Sequence, residues 1–184
     1  ALPIYEPLEK EVAVDPEMLG KVFENLLEIE DRKSKGAFYT PREIVHYMCQ
    51  ESLINYLETN SDLNKEDIDN FIRLGDVALG SIMKEQEQIK KYKKSYENPV
   101  LPDSIKENHK KLDKLLREVK IVDPAVGSGA FPVGMMNEII RARTILSLYS
   151  GLNITNYELK LETIENCLYG VDVDSSAVDI AKLR

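Results

Sequence analysis

The densest chemical signal in the chain is the run Asp123-Pro124-Ala125-Val126-Gly127-Ser128-Gly129-Ala130-Phe131. Closely spaced glycines let a backbone turn sharply at the end of a strand and approach a ligand closely. A helix that starts there presents unpaired N–H groups to an anionic part of that ligand. A dinucleotide fingerprint would place a third glycine in the sixth position and an acid roughly 20 residues further on. Here the sixth position is Pro132, and the acid that ends the next apolar run, Asp172, stands 43 residues beyond Gly129. A carboxylate at Asp123 would also repel a pyrophosphate, whereas it suits an ammonium group. S-adenosylmethionine meets both conditions. Its amino-acid end carries a positive amine, and its ribose offers two hydroxyls to an acid such as Asp172.

A second signal is Gly36-Ala37-Phe38-Tyr39-Thr40-Pro41. On its own it reads as an aromatic-stapled helix start. Thr40-Pro41-Arg42-Glu43 is expected to form a capping box, with Pro41 at the first helical position. Its more specific reading places Tyr39 and Thr40 beside the same cofactor. Other reactive types carry less. Cys49 falls within an apolar stripe and Cys167 opens an apolar strand, so both read as small core residues. His46 and His109 have no partner at metal-ligand spacing, and no metal site is expected. Lys90-Lys91-Tyr92-Lys93-Lys94 could offer weak phosphate contacts through Lys90, Lys91, Lys93 and Lys94, although such runs are more often a solvated helix face.

These residues need elements to hold them. A first helix is expected from Asp15-Pro16, with Leu19, Val22, Phe23, Leu26 and Leu27 on one face. A second follows Thr40, with Ile44, Val45, Met48, Cys49, Leu53, Tyr56 and Leu57 as its buried side. Short helical patterns then run through Ile68, Phe71, Ile72 and Leu74, and again through Ile105, Leu112, Leu115 and Leu116. The break Asn98-Pro99-Val100-Leu101-Pro102 separates them. Between Lys84 and Lys120 there are 11 basic and 7 acidic residues, so this stretch is locally positive. Val119 to Asp123 reads as a buried strand, Phe131 to Leu148 as an apolar helix with Met135 and Met136 as core filler, and Leu159 to Ile164 as a short helix. Cys167 to Val173 reads as a second buried strand, and Asp174-Ser175-Ser176 as the cap of a helix from Ala177 onward. Strand, helix, strand, helix is the beginning of a parallel α/β sheet. Two strands do not complete one, so the 184 residues are expected to be a piece of a longer protein.

Composition sets the outer limits. Hydrophobic residues make up 43% of the chain, enough for a sizeable core, and two cysteines exclude a disulfide framework. The formal net charge of −8 argues against a chain that coats nucleic acid with its whole surface. No apolar run is long enough to span a bilayer, and Ala1-Leu2-Pro3-Ile4-Tyr5 lacks a signal-peptide layout. A soluble, cytoplasmic chain without a membrane partner is expected.

Taken together, Gly36 to Pro41, Asp123 to Phe131 and Tyr169-Gly170-Val171-Asp172-Val173 resemble the first landmarks of adenine-N6 DNA methyltransferases. The likeness is greatest to the gamma class and to type IIG restriction–modification proteins. Ala125 bears on the subclass, since the alpha class usually has Phe there, and the helices before Gly36 resemble the type IIG leader. The resemblance implies a Rossmann-like class I S-adenosylmethionine-dependent methyltransferase domain, present only in its first part, behind an N-terminal helical segment. It implies that Tyr39, Thr40, Asp123, Ala125, Gly127, Ser128, Gly129 and Phe131 lie around the cofactor. Asp172 would hold the ribose, and Val173 would pack on the adenine ring. The Asn/Asp-Pro-Pro-Tyr/Phe tetrapeptide, which in that family grips the flipped base, does not occur here, and no catalytic residue is assigned. Asn98-Pro99-Val100 is not a substitute: it precedes the glycine loop and lacks both the second Pro and the aromatic.

The expected organisation is a helical leader (1–35), the Phe-Tyr-Thr-Pro element with its helix (36–59), a partly mobile helical insertion (60–118) and a truncated α/β start (119–184). The expected function is adenine-N6 methylation of DNA from S-adenosylmethionine in a restriction–modification or related defence system. This portion would carry the cofactor site and be inactive alone, and DNA would be met mainly by regions beyond it. Two alternatives stand beside this: a dinucleotide-binding oxidoreductase fragment, and a non-catalytic DNA-binding or assembly module with a vestigial cofactor pocket.

Overall fold

A computed structural model describes residues 40–73, 75, 101–151 and 154–184, together with Val22. The expected leader (apart from Val22), Tyr39, the lysine run and the Asn98-Pro99 break lie outside the described residues.

Helix α1 (Arg42–Ser61) begins one residue later than the capping box requires. Pro41 occupies the N-cap itself: its carbonyl accepts from the N–H groups of Ile44 and Val45, at 3.0 and 3.1 Å, and no side chain caps the helix. The expected box is therefore absent, because shifting the start to Arg42 takes Thr40 out of reach of the first turn. Helix α1 buries Val45, Cys49, Leu53, Ile54 and Leu57, whereas Ile44 and Met48 lie exposed beside Tyr47. Ile44 and Met48 thus fall off the expected buried face, and Ile54 joins it.

The next helices, α2 (Lys65–Arg73), α3 (Asp103–Glu107) and α4 (His109–Glu118), turn Ile68, Phe71, Ile72, Ile105, Leu112 and Leu116 into one cluster with the buried side of α1. The described parts of the 60–118 stretch thus contribute directly to the main core. Strand β1 (Ile121–Asp123) follows, and then the long helix α5 (Ala130–Ser150), which packs on α1, α4, α6 and both strands. Met135 and Met136 are buried, as their place in an apolar helix suggests.

Helix α6 (Asn156–Cys167) carries the capping box that α1 lacks: Thr155 Oγ1 accepts from the Glu158 N–H, and Glu158 Oε2 accepts from the Thr155 N–H at 2.8 Å. Strand β2 (Leu168–Gly170) leads to α7 (Ser175–Leu183), where Asp174 accepts from the Ser176 N–H at 2.9 Å and forms the expected cap.

β1 and β2 are parallel, in the register Ile121–Leu168, Val122–Tyr169 and Asp123–Gly170. A parallel pair needs a long crossover, which α5 and α6 supply. The strands are not buried on both faces as their β-branched composition suggested. Val122 and Tyr169 are exposed on the sheet, as is Val171 just beyond β2, because the described helices leave this side uncovered. No helix among the described residues is long and apolar enough to cross a membrane.

One buried charge cluster ties three helices. Arg143, on α5, is 1% exposed at its side chain; its Nε donates to Asp113 of α4 at 2.9 Å and its Nη2 to Glu162 of α6 at 3.0 Å. A buried guanidinium is tolerated only with such partners.

Candidate functional site

The parallel register decides where the two acids meet. Because Asp123 pairs with Gly170, both strands end at the same level, and Asp172 emerges two residues beyond its strand. The ladder continues past the strands: the Val171 N–H donates to the Asp123 carbonyl at 3.0 Å, and the Val126 N–H to the Val171 carbonyl at 2.9 Å. The glycine loop is thus folded over the carboxyl ends of both strands, where ligands bind in open α/β sheets.

Each acid holds part of this loop. Asp123 Oδ1 accepts from the Ala125 N–H at 3.1 Å, and Asp172 Oδ2 accepts from the Gly127 N–H at 2.8 Å. Asp172 Oδ1 accepts from the Asp174 N–H at 2.9 Å, so one carboxylate steadies the loop on one side and the approach to α7 on the other. Among the described residues neither Asp123 nor Asp172 has an ion-pair partner. Two half-buried carboxylates at adjacent strand ends make this corner favourable to a cation.

The glycines have separate reasons. Gly127 adopts φ +51°, and a Cβ there would meet nothing nearer than the Ala125 carbonyl at 4.0 Å; the space beside it is open. Gly129, at φ +84°, is the N-cap of α5, and a Cβ there would come within 3.1 Å of Ala181 on α7. Ser128 between them is buried, and its carbonyl accepts from Arg184 Nη1 at 2.9 Å.

The remaining expected residues fall around this corner with different exposures. Ala125 is exposed on the loop, Phe131 is half-buried in the first turn of α5, and Val173 is 95% exposed next to Asp172. An almost fully exposed valine beside Asp172 leaves an apolar surface open at this corner. Thr40 is half-buried just ahead of α1 and takes no part in its cap. Helix α1 reaches the loop side through Cys49, whose Sγ lies 3.8 Å from the Phe131 carbonyl. Burial, with the Glu138 charge second, pushes the Cys49 thiol up to about 12, so it stays protonated and unreactive. No group of three or more metal-ligating side chains occurs among the described residues.

One feature of this region was missed in the sequence: Glu138, buried on α5 and bonded to His46 and Gln50 of α1. The available signal was a carboxylate interrupting an apolar helix.

No protein-family model matches the chain, and no solved structure matches it either. Among curated proteins, it is 34% identical over 181 residues to a protein of Methanocaldococcus jannaschii. That protein's name assigns it, provisionally, to type II restriction enzymes and methyltransferases. The aligned part takes in 95% of this chain and 14% of the relative, so the chain spans about a seventh of the length of the protein it matches.

Proposed function

We propose that this chain is the cofactor-binding portion of a DNA methyltransferase that acts on adenine N6 within a restriction–modification system. The observation that carries this reading is the pairing of Asp123 with Ala125 and of Asp172 with Gly127 at the ends of two adjacent parallel strands. The name of the archaeal relative, a restriction enzyme and methyltransferase, supports the reaction class. The fuller architecture in this reading is a doubly wound α/β domain, of which β1, α5, β2 and α7 are the first units.

The residues present fit S-adenosylmethionine. The open space beside Gly127 admits a ligand against the backbone, and two carboxylates held by backbone N–H groups, without an ion-pair partner among the described residues, favour a molecule carrying positive charge. Asp123 would attract the ammonium group, and Thr40 would border the methionine end with Tyr39. Asp172 would accept from the ribose hydroxyls on the lone pairs that Gly127 and Asp174 leave unused. Val173 would cover the adenine ring, and Ala125, Ser128, Gly129 and Phe131 would form the wall of the loop. The cofactor supplies an electrophilic methyl group; this chain's residues bind and orient it. In this reading DNA, and the groups that grip the target base, are met by the rest of the protein.

Calorimetric titration of the 184-residue chain tests the reading. S-adenosylhomocysteine is expected to bind and NAD is not. Asp172→Ala should weaken binding; tight NAD binding abolished by Gly127→Val would establish a dinucleotide enzyme instead.

A further inference from the structure

Glu138 is 4% exposed on α5, where a carboxylate without partners would be costly. An apolar side chain of similar size would fill the same space without losing hydration. The carboxylate is instead fully engaged. Oε1 lies 2.7 Å from His46 Nδ1, Oε2 accepts from Gln50 Nε2 at 3.3 Å, and Arg141 Nη1 donates to both oxygens at 3.0 Å. His46 and Gln50 stand one turn apart on α1, so the carboxylate grips that helix at two levels and opposes both sliding and rotation.

A second contact on the same interface works by shape. One turn before Glu138, a Cβ on Gly134 would come within 2.7 Å of Val45 Cγ1 and 3.2 Å of Cys49 Sγ. Val45 and Cys49 therefore seat in a notch on α5. Thr40 stands five residues before Val45, and Gly129 five residues before Gly134. Gly129 therefore lies roughly 7.5 Å along the α5 axis from this crossing, and Thr40 stands two residues ahead of the first turn of α1. The two pieces of the proposed cofactor site hang from one joint.

We infer that Glu138 is a positioning residue: through His46 and Gln50 it locks α1 onto α5 and so fixes the head of α1, just beyond which Thr40 stands, relative to the glycine loop. This rests on the cofactor reading above for its functional consequence, but the geometry it asserts does not. The Arg143 cluster lies on the same helix but joins α5 to α4 and α6, which makes it the natural control.

Two measurements separate the possibilities. Spin labels at Glu43→Cys and Ala125→Cys, both exposed, report the distance between the head of α1 and the loop, while Cys49 and Cys167 remain buried. The distribution should be narrow in the parent chain, broad after Glu138→Ala, and narrow again after Glu138→Gln. The glutamine amide oxygen still accepts from His46 and Arg141, and Gln50 can turn its carbonyl toward the new N–H. Asp113→Asn should leave the distribution narrow. In parallel, S-adenosylhomocysteine affinity should fall about tenfold in Glu138→Ala and recover to within about threefold in Glu138→Gln. His46→Ala removes a partner that is partly exposed, so it tests the same link if Glu138→Ala does not fold. An unchanged distance distribution in folded Glu138→Ala or His46→Ala overturns the positioning role. Failure of the parent chain to bind S-adenosylhomocysteine overturns the cofactor reading alone, since the distance measurement still decides the joint.

Discussion

The Gly127 backbone N–H donates to Asp172 Oδ2 at 2.8 Å across 45 residues of sequence. Asp172 is therefore part of the loop's own structure before any ligand arrives. Asp172→Ala removes this bond and the one from the Asp174 N–H, and should lower stability by about 1–3 kcal/mol. Urea titration of the ligand-free chain measures that loss. A purely ligand-facing acid would leave stability unchanged and affect only the titration with S-adenosylhomocysteine.

The two loop glycines should respond unequally to a methyl group. Gly127→Ala carries only the cost of a left-handed residue, about 1–2 kcal/mol, because the space beside it is open. Gly129→Ala adds a contact 3.1 Å from the backbone of Ala181, which cannot turn aside as a side chain could. It should cost at least about 1 kcal/mol more. Equal denaturation midpoints for the two variants would contradict the proximity of α7 to the loop.

The loop and its two acids were legible because glycine spacing and strand-terminal carboxylates are local properties of a sequence. The covering of surfaces was not. Ile44 and Met48 follow helical periodicity as faithfully as Val45 and Cys49, yet only the latter meet Gly134 on α5. Periodicity names a face but not the neighbour that covers it. The same limit explains Val122 and Tyr169, apolar cross-strand partners that lie exposed on a two-stranded sheet. Thr40 misled for a finer reason: Thr-Pro-Arg-Glu satisfies the capping-box pattern, but Pro41 takes the cap position. Thr155-Asn156-Tyr157-Glu158, with the same spacing, forms the box in full.

Stability should fall in alkali through Cys49. Its thiol is raised from 9.0 to about 12 by burial first and the Glu138 charge second. Because the folded form holds its proton more tightly, this contribution is fully present below pH 9.0. It is lost progressively between there and about 12, as only the unfolded chain ionises. Cys49→Ala should flatten the decline in denaturation midpoint over that window. Thiol reagents at neutral pH should label neither Cys49 nor Cys167 until the chain is unfolded, since both are buried and protonation is favoured in each.

The Arg143 cluster should show which member is the liability. Its guanidinium is 1% exposed, whereas Asp113 and Glu162 are 26% and 40% exposed at their side chains. Removing the arginine leaves two carboxylates that water can reach. Removing both carboxylates leaves a cation that water cannot reach. Arg143→Met, which keeps much of the volume, should therefore cost no more than about 1.5 kcal/mol. The double change Asp113→Ala with Glu162→Ala should cost about 3–5 kcal/mol, the penalty of an unpaired buried charge. Denaturant unfolding of the two variants decides the order. A larger loss in Arg143→Met would mean that the ion pairs themselves, rather than the burial of the guanidinium, hold α4 and α6 to α5.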